Sequence, residues 1–200
     1  LVEKIVGAAA DKGYSLEQCE ELARRVNNNC RSFAVALNAC VVPAAGKPSF
    51  ELADNEVEFG VGIHGEPGIE RITYTNADEL VDKMFVQLRE NVEYSRTLRT
   101  WNREEGEWVE VESSIEKFET DHDYIAIING LGGTPVSELY SVFRRLAENC
   151  ERENFRIVRN MVGNYCTSLN MEGVSITLLK VDKEMLELFD APVDTAAIKW

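Results

Sequence analysis

The feature that most constrains the fold is a strand–helix–strand unit between residues 124 and 162. Tyr124–Asn129 is a short apolar run, typical of a buried strand. A glycine-rich turn, Gly130–Pro135, follows it and leads into a helix predicted to end near Glu153. Phe155–Val162 is a second strand pattern. Two strands joined through a helix indicate an α/β architecture, in which helices stack on a sheet.

The rest of the chain adds further strands and helices around this unit. Hairpin-like neighbours accompany the strand–helix–strand unit, so the sequence predicts α/β layers with a mixed β-sheet. A charge-rich hairpin with an aromatic residue near each end is predicted over Trp101–Trp108. The other predicted elements are helices over 1–13, from Ser15 to about Asn29, from Asn76 to about Asn91 and over 183–189, and strands over 32–42, 57–64 and 174–181.

Three helix starts carry capping signals. Ser15 with Gln18, and Asn76 with Glu79, match the reciprocal capping pattern. Thr134 is predicted as the N-cap of the next helix, with Pro135 as its first residue. The Gly130–Pro135 turn before that helix resembles an anion site in outline. It matches neither common phosphate-binding motif, which favours a structural turn.

Composition narrows the function classes. A formal net charge of −14 argues against nucleic acid and against an anionic membrane surface as partners. No apolar run approaches the roughly 20 residues that span a bilayer. The five cysteines show no C-x-x-C pair, which favours structural thiols in a reducing cytosol, and two distant histidines predict no zinc or other metal site. We therefore expect a cytoplasmic globular domain.

The strongest chemical signal is the run Gly60-Val61-Gly62-Ile63-His64-Gly65-Glu66-Pro67-Gly68. Gly62 and Gly65 have no Cβ, so a small molecule can approach the His64 imidazole closely. Imidazole can act as a nucleophile, a base or a metal ligand near neutral pH. Glu66 is a candidate partner for the second ring nitrogen. The alternative is a histidine at the end of a strand, with glycines that shape a turn and Glu66 as a solvent-facing carboxylate.

Three segments resemble one known family, the dihydroxyacetone-binding subunit of dihydroxyacetone kinase. They are Val57–Ile69, which holds the histidine motif, the upstream run Val42–Phe50, and Tyr165–Leu179. The resemblance extends over essentially the whole chain and covers the C-terminal part of that subunit. It implies the C-terminal α/β domain of this subunit, with residues 1–30 as a helical segment that bridges to an N-terminal half and residues 31–200 as the substrate-binding domain.

The resemblance implies a specific chemistry at His64. In the family, the histidine of the Gly-Ile-His-Gly-Glu motif binds dihydroxyacetone covalently as a hemiaminal, and the kinase transfers a phosphoryl group to the ketose hydroxyl. The position that matches this histidine is His64. With the neighbouring residues of the motif, the candidate substrate-binding residues are His64, Gly62, Gly65 and Glu66. Most hydrogen bonds to the substrate, and an aspartate and a histidine that transfer protons, come from the N-terminal half. We therefore expect the 200 residues alone to be inactive, and we interpret His122 as a surface residue.

The family also implies partners and leaves alternatives open. ADP or ATP with magnesium is expected on a separate nucleotide-binding subunit, with no cofactor in this chain, and a homodimer is implied. One family branch replaces spent ATP, and the other recharges a held nucleotide from the phosphoenolpyruvate-dependent phosphotransferase system. The chain ends at Trp200, soon after its last predicted helix, which favours the second branch. A non-catalytic dihydroxyacetone-binding co-activator is the alternative function, and a purely structural domain is the third.

Overall fold

A computed structural model describes residues 1–62, 66–90, 94–115, 117–196 and 198–200. Its helices are α1 (Val2–Asp11), α2 (Leu16–Asn28), α3 (Ala77–Arg89), α4 (Val136–Arg152) and α5 (Lys183–Phe189). Its strands are β1 (Cys30–Ala36), β2 (Glu56–Phe59), β3 (Glu70–Thr73), β4 (Tyr94–Asn102), β5 (Glu107–Ile115), β6 (Asp123–Gly130), β7 (Arg156–Gly163) and β8 (Gly173–Val181). No helix in these ranges is long and apolar enough to cross a bilayer.

The described strands form one mixed sheet of six strands and a separate two-stranded ribbon. The sheet order is β3-β2-β1-β8-β6-β7, and the ribbon pairs β4 with β5. β6 and β7 run parallel because α4 connects them, whereas the other neighbours in the sheet are antiparallel. The predicted mixed α/β fold is therefore confirmed.

Alternating side chains of the central strands divide the core between the two faces of the sheet. In β6, Tyr124, Ala126 and Ile128 pack with the apolar sides of α3 and α4, whereas Ile125 faces the opposite layer. That opposite layer contains α1, α2 and α5, with Ile5 among its fully buried side chains. The period-two pattern of a strand thus places helices on both faces. The predicted boundary at residue 30 remains a prediction.

The two predicted capping boxes form with one difference. In α2, the Gln18 amide donates to Ser15 Oγ at 3.3 Å, and the Ser15 amide donates to Gln18 Oε1 at 2.8 Å. At α3, the Glu79 amide donates to Asn76 Oδ1 at 2.9 Å. The Glu79 carboxylate, however, accepts from the Thr75 amide, one residue before the expected donor. The Asn76 cap is therefore confirmed, with the return bond shifted by one position.

The predicted start of α4 was wrong by one residue. Pro135 occupies the N-cap position and Val136 is the first helical residue. The Thr134 hydroxyl does not cap the helix, because it accepts from the Gly173 amide at 2.7 Å and lies 2.9 Å from the Gly173 carbonyl oxygen. A contact across 39 positions in sequence has replaced a local one.

Two predicted strands are shorter than expected, and one strand was missed. β1 ends at Ala36, not Val42, because the Leu37 amide turns to the Glu172 carbonyl at 2.7 Å. β2 ends at Phe59 because Gly60 has a φ of +86°, which ends the extended backbone. β3 has little apolar character, and its pairing with β2 defines it.

The predicted hairpin is confirmed and extends well beyond the two tryptophans. Trp101 and Trp108 are cross-strand partners, with ring centroids 5.5 Å apart in an edge-to-face arrangement. Near the tip, Arg103 forms an ion pair with Glu17 at the start of α2. The ribbon therefore joins the helical layer through polar contacts, and it leaves both indole rings exposed.

Candidate functional site

A half-open cavity of about 590 Å³ lies on the α1 and α5 side of the sheet. Gly60, Val61 and Gly62 border it on one side, and Tyr165 and Cys166 are also among its lining residues. Side chains from the sheet strands, from α1 and from the C-terminal segment complete the lining: Leu1, Glu3, Lys4, Ser32, Phe33, Ala34, Ile127, Asn129, Met161, Ser175, Thr177, Phe189 and Ile198. The sheet thus presents a concave surface directly beside the glycine motif.

The glycine motif leaves β2 by a sharp turn. The Gly60 amide donates to the Ala34 carbonyl at 2.8 Å, which attaches the start of the turn to β1. A Cβ at Gly60 would lie 2.9 Å from Ile69 Cγ1, so a larger residue would clash as well as strain the positive φ. The Ile69 amide donates to the Phe59 carbonyl at 2.7 Å and closes the turn. Glycine at this position is therefore required by the fold.

The predicted site residues divide between described and undescribed positions. Gly62 borders the cavity, and its amide donates to the carbonyl of Glu66 at 3.2 Å. The Glu66 side chain is exposed and is not among the cavity-lining residues. His64 and Gly65 lie outside the described residues. The pairing of Glu66 with the His64 ring remains a prediction.

Asn129 shapes the cavity wall and was missed by sequence reasoning. The residue is 5 % exposed and lies near the end of β6. Asn129 Nδ2 donates to the Cys166 carbonyl at 2.8 Å and to Ser175 Oγ at 3.2 Å, and Oδ1 accepts the Tyr165 and Cys166 amides, both at 2.8 Å. The available signal was an amide side chain at the end of an otherwise apolar strand.

Hydroxyl groups line the part of the cavity formed by the sheet. Ser32 Oγ and Thr177 Oγ1 lie 2.7 Å apart across β1 and β8. Ser175 adds a third hydroxyl next to Asn129. Each hydroxyl can both donate and accept, so this surface suits a small polyhydroxylated molecule surrounded by apolar walls.

The charges at the cavity come from α1. Glu3 and Lys4 are the charged side chains among the described lining residues. Burial lowers the pKa of the Lys4 ammonium, and the Asp190 carboxylate opposes that shift. Lys4 Nζ donates to the Ala191 carbonyl at 2.9 Å and lies 5.2 Å from the Phe189 ring centroid. Lys4 is thus held against the C-terminal segment.

The described residues contain no group of three or more His, Cys, Asp or Glu side chains that could hold a metal ion. All five cysteines are free thiols, of which Cys166 is exposed at the cavity. His122 is exposed, with Nδ1 3.0 Å from the Thr120 carbonyl, as expected for a surface residue.

Two amides of the Gly130–Pro135 turn donate hydrogen bonds within the protein. The Leu131 amide donates to the Gly173 carbonyl at 3.2 Å, and the Gly133 amide donates to the Met171 carbonyl at 2.8 Å. A Cβ at Gly133 would lie 2.7 Å from the Asn170 carbonyl oxygen, so this glycine permits close packing of two loops. These contacts favour the structural interpretation of the turn over an anion site.

Comparisons with known proteins identify the family. The Dak1 domain model matches residues 1–197. The chain is 54 % identical over 200 residues to the dihydroxyacetone-binding subunit DhaK of the PEP-dependent dihydroxyacetone kinase of Escherichia coli (strain K12), covering 100 % of this chain and 56 % of that protein.

Solved structures show the same fold. The dihydroxyacetone kinase operon co-activator Dha-DhaQ superposes with a TM-score of 0.78 at 30 % identity, over 96 % of this chain and 52 % of that one. The dihydroxyacetone kinase from C. freundii in complex with AMP-PNP and Mg²⁺ superposes with a TM-score of 0.74 at 26 % identity, over 94 % and 30 %. The chain spans about half the length of the curated relatives it matches. The chain belongs to the Dak1 domain family.

Proposed function

We propose that this chain is the substrate-binding part of a dihydroxyacetone kinase and that His64 holds the ketose. The observation that carries the proposal is the half-open cavity bordered by Gly60–Gly62, immediately before the histidine motif. The identity of 54 % with a dihydroxyacetone-binding kinase subunit supports the same assignment. Gly62, Gly65 and Glu66 complete the proposed substrate-binding residues.

The proposed bond is a reversible hemiaminal. A ring nitrogen of neutral His64 donates its lone pair to the ketone carbon, and a C–N bond forms as the C=O π bond breaks. The proton leaves the other ring nitrogen and reaches the new oxygen, so atoms and charge balance. Because the attacking nitrogen carries no further proton, water is not lost to give a neutral Schiff base. The adduct also distinguishes a ketose from glycerol, which has no carbonyl.

The cavity is suited to hold the rest of the ketose. Hydroxyl groups of Ser32, Ser175 and Thr177 can exchange hydrogen bonds with the substrate hydroxyls. A three-carbon ketose fills a small part of about 590 Å³. In this proposal, the N-terminal half that the family resemblance implies completes the cavity and positions a hydroxyl for phosphoryl transfer. The 200 residues alone are for this reason expected to be inactive.

The phosphoryl donor binds elsewhere in this proposal. The amides of Leu131 and Gly133, in the one glycine-rich turn that precedes a described helix, are engaged within the fold. In this proposal, ADP or ATP with magnesium binds to a nucleotide-binding partner subunit and is recharged from phosphoenolpyruvate. The E. coli relative, whose name describes a PEP-dependent kinase, supports this branch. A homodimer in the cytoplasm completes the proposed assembly.

A non-catalytic co-activator is the second candidate function. The observation that favours it is the superposition on the co-activator Dha-DhaQ, with a TM-score of 0.78. Both candidates bind the ketose, so the adduct does not distinguish them. Phosphorylation of dihydroxyacetone by the complete natural polypeptide with its nucleotide-binding partner identifies the kinase, whereas binding without turnover identifies the co-activator.

The test of the proposed function uses dihydroxyacetone labelled with ¹³C at the ketone carbon. With the complete polypeptide, we expect a new protein-bound NMR signal in the tetrahedral-carbon region. His64→Ala removes the nucleophile and is expected to abolish this signal. His122→Ala, which changes the exposed second histidine, is the matched control and is expected to retain it. Unchanged ligand binding in His64→Ala would show that His64 has a purely structural role.

A further inference from the structure

Glu58 is a buried carboxylate beside the histidine motif that the proposed chemistry does not use. It lies in β2, and the residue is 7 % exposed. Four described residues are both buried and polar or charged. They are Glu58, Arg31, Asn129 and Asn149. A buried carboxylate has a substantial desolvation cost, so its partners indicate what its burial achieves.

Each oxygen of Glu58 binds a different part of the chain. Glu58 Oε2 accepts from Arg71 Nε at 2.9 Å, and these two residues are cross-strand neighbours in the β2–β3 pair. Glu58 Oε1 accepts from the Gly68 amide, also at 2.9 Å. Gly68 belongs to the segment that returns from the histidine motif. The carboxylate therefore joins that returning segment to both strands.

The second bond distinguishes Glu58 from an ordinary surface ion pair. A cross-strand Arg–Glu pair could form in solvent, where such pairs contribute little to stability. Here the residue is buried, and one of the two hydrogen bonds of its carboxylate is accepted from the Gly68 amide at the end of the histidine motif. A Cβ at Gly68 would lie 2.5 Å from the Phe59 carbonyl oxygen and 3.1 Å from Glu58 Oε1, so the contact also depends on glycine at that position.

Three hydrogen bonds together close the base of the motif. In the first, the Gly68 amide donates to Glu58. In the second, the Ile69 amide donates to the Phe59 carbonyl at 2.7 Å, and in the third the Gly62 amide donates to the Glu66 carbonyl at 3.2 Å. The first is the one of the three that uses a side chain. Because Glu58 lies outside the Gly60–Gly68 run, its side chain can be replaced without changing any residue of the motif, so its role can be tested.

We infer that Glu58 is a positioning residue: by binding Gly68 and Arg71 it holds the end of the histidine motif against β2, and in this way it supports ketose binding at His64. This inference rests on the proposed function of His64. Glu58 is not among the described residues that line the cavity, and it takes no part in the proposed covalent step. Its loss is expected to weaken ketose binding, because a reacting group displaced by about 1 Å can lose up to roughly 100-fold in effectiveness.

The experiment measures the ¹³C adduct signal and the dissociation constant for dihydroxyacetone in the complete polypeptide. Glu58→Ala removes both hydrogen bonds, whereas Glu58→Gln retains an oxygen for Gly68 and loses the charge that faces Arg71. We expect binding to weaken by about 10- to 100-fold in Glu58→Ala and by less in Glu58→Gln. This graded rescue by the conservative variant supports a positioning role.

A matched control separates positioning from general stability. Asp82→Asn weakens the ion pair of Asp82 with Arg145, 2.7 Å apart, which joins α3 to α4 on the other face of the sheet. It is expected to lower the free energy of unfolding while leaving the adduct signal and the dissociation constant unchanged. Thermal unfolding of every variant is measured in parallel.

The outcomes distinguish the two proposals. Suppose that Glu58→Ala folds and binds dihydroxyacetone as the wild type does, while His64→Ala loses the adduct. This result overturns the role of Glu58 and leaves the proposed function standing. If Glu58→Ala does not fold, Glu58→Gln decides: a dissociation constant equal to that of the wild type overturns the role, and weaker binding supports it. A wild-type polypeptide that forms no adduct overturns both.

Discussion

At the scale of single residues, Asn129 shows how one side chain can organise a cavity wall. It uses both its donor and its acceptor atoms on the Tyr165–Cys166 segment and on Ser175. A buried amide in this arrangement is stabilising because both its donor and its acceptor atoms are hydrogen-bonded within the protein. The segment that it holds forms part of the proposed ketose site.

We predict that Asn129→Ala lowers the free energy of unfolding by about 2–4 kcal/mol, since it leaves the Tyr165 and Cys166 amides without their acceptor. Urea unfolding measures this loss. Asn102→Ala is the control, because Asn102 also accepts two amides but does so in exposed hydrogen bonds at the end of β4. The control is expected to cost no more than about 1 kcal/mol. Equal losses in the two variants would contradict the assigned role.

Glu58 and Asn129 also show the limit of sequence reasoning at this scale. The motif around His64 stands out because its glycines and histidine are adjacent in sequence. Glu58 and Asn129 belong to no such run, and the position of Asn129 at the end of an apolar strand does not identify its partners. The partners of both residues are 10 or more positions away. Burial and partner identity distinguish them from ordinary polar residues, and both are properties of the folded chain.

At the scale of elements, helix starts were predicted well where the partners are local. Ser15 and Asn76 cap α2 and α3 through contacts within three residues. Thr134 has the same residue chemistry, yet it binds Gly173 in β8 in place of its own helix. β1 and β2 ended early for a related reason, because neighbouring segments and a glycine with positive φ redirected their backbones.

The start of α3 gives a pH-dependent prediction. The hydrogen bond from Lys83, followed by the Thr75 amide, lowers the pKa of the Glu79 carboxyl from 4.5 to about 2. A lowered pKa in the folded state means that the stabilising contribution is complete above about pH 5 and is lost as the pH falls towards 2. Glu79→Gln should therefore flatten the dependence of the free energy of unfolding on pH in this window.

Urea unfolding between pH 2 and 7 tests this prediction. Lys83→Met removes the first of the two partners of Glu79, so it should partly flatten the pH dependence of the free energy of unfolding between about pH 2 and 5. A change in the free energy of unfolding at neutral pH alone would contradict the prediction. The contribution is small because the carboxylate is exposed and screened by solvent. An unchanged slope in Glu79→Gln would show that the cap does not titrate as described.

At the scale of the whole molecule, the sheet has a helical layer on each face. One layer packs around Tyr124, Ile128 and Leu139, and the other around Ile5, Leu179 and Phe189. Helices from both ends of the chain meet in the second layer, where α1 packs with α5. The same layer borders the proposed ketose cavity, so its packing affects both stability and the site.

We predict that Ile5→Ala lowers the free energy of unfolding by about 2–5 kcal/mol, because Ile5 is fully buried between α1 and α5. Chemical denaturation provides the measurement. Leu16→Ala removes a similar apolar side chain that is 72 % exposed, and it is expected to change the free energy by less than about 0.5 kcal/mol. A loss below about 1 kcal/mol for Ile5→Ala would mean that α1 is not an integral part of this core.

The sequence by itself determined the fold class, the local helix caps, the tryptophan hairpin and the family, because each depends on residues close together in the chain or on motifs that survive as short runs. Tertiary structure decided where strands end, what Thr134 binds, and how Glu58 and Asn129 support the cavity. Those outcomes depend on competition between local partners and distant ones. A buried donor or acceptor must be satisfied, and the group that satisfies it is known once the chain has folded.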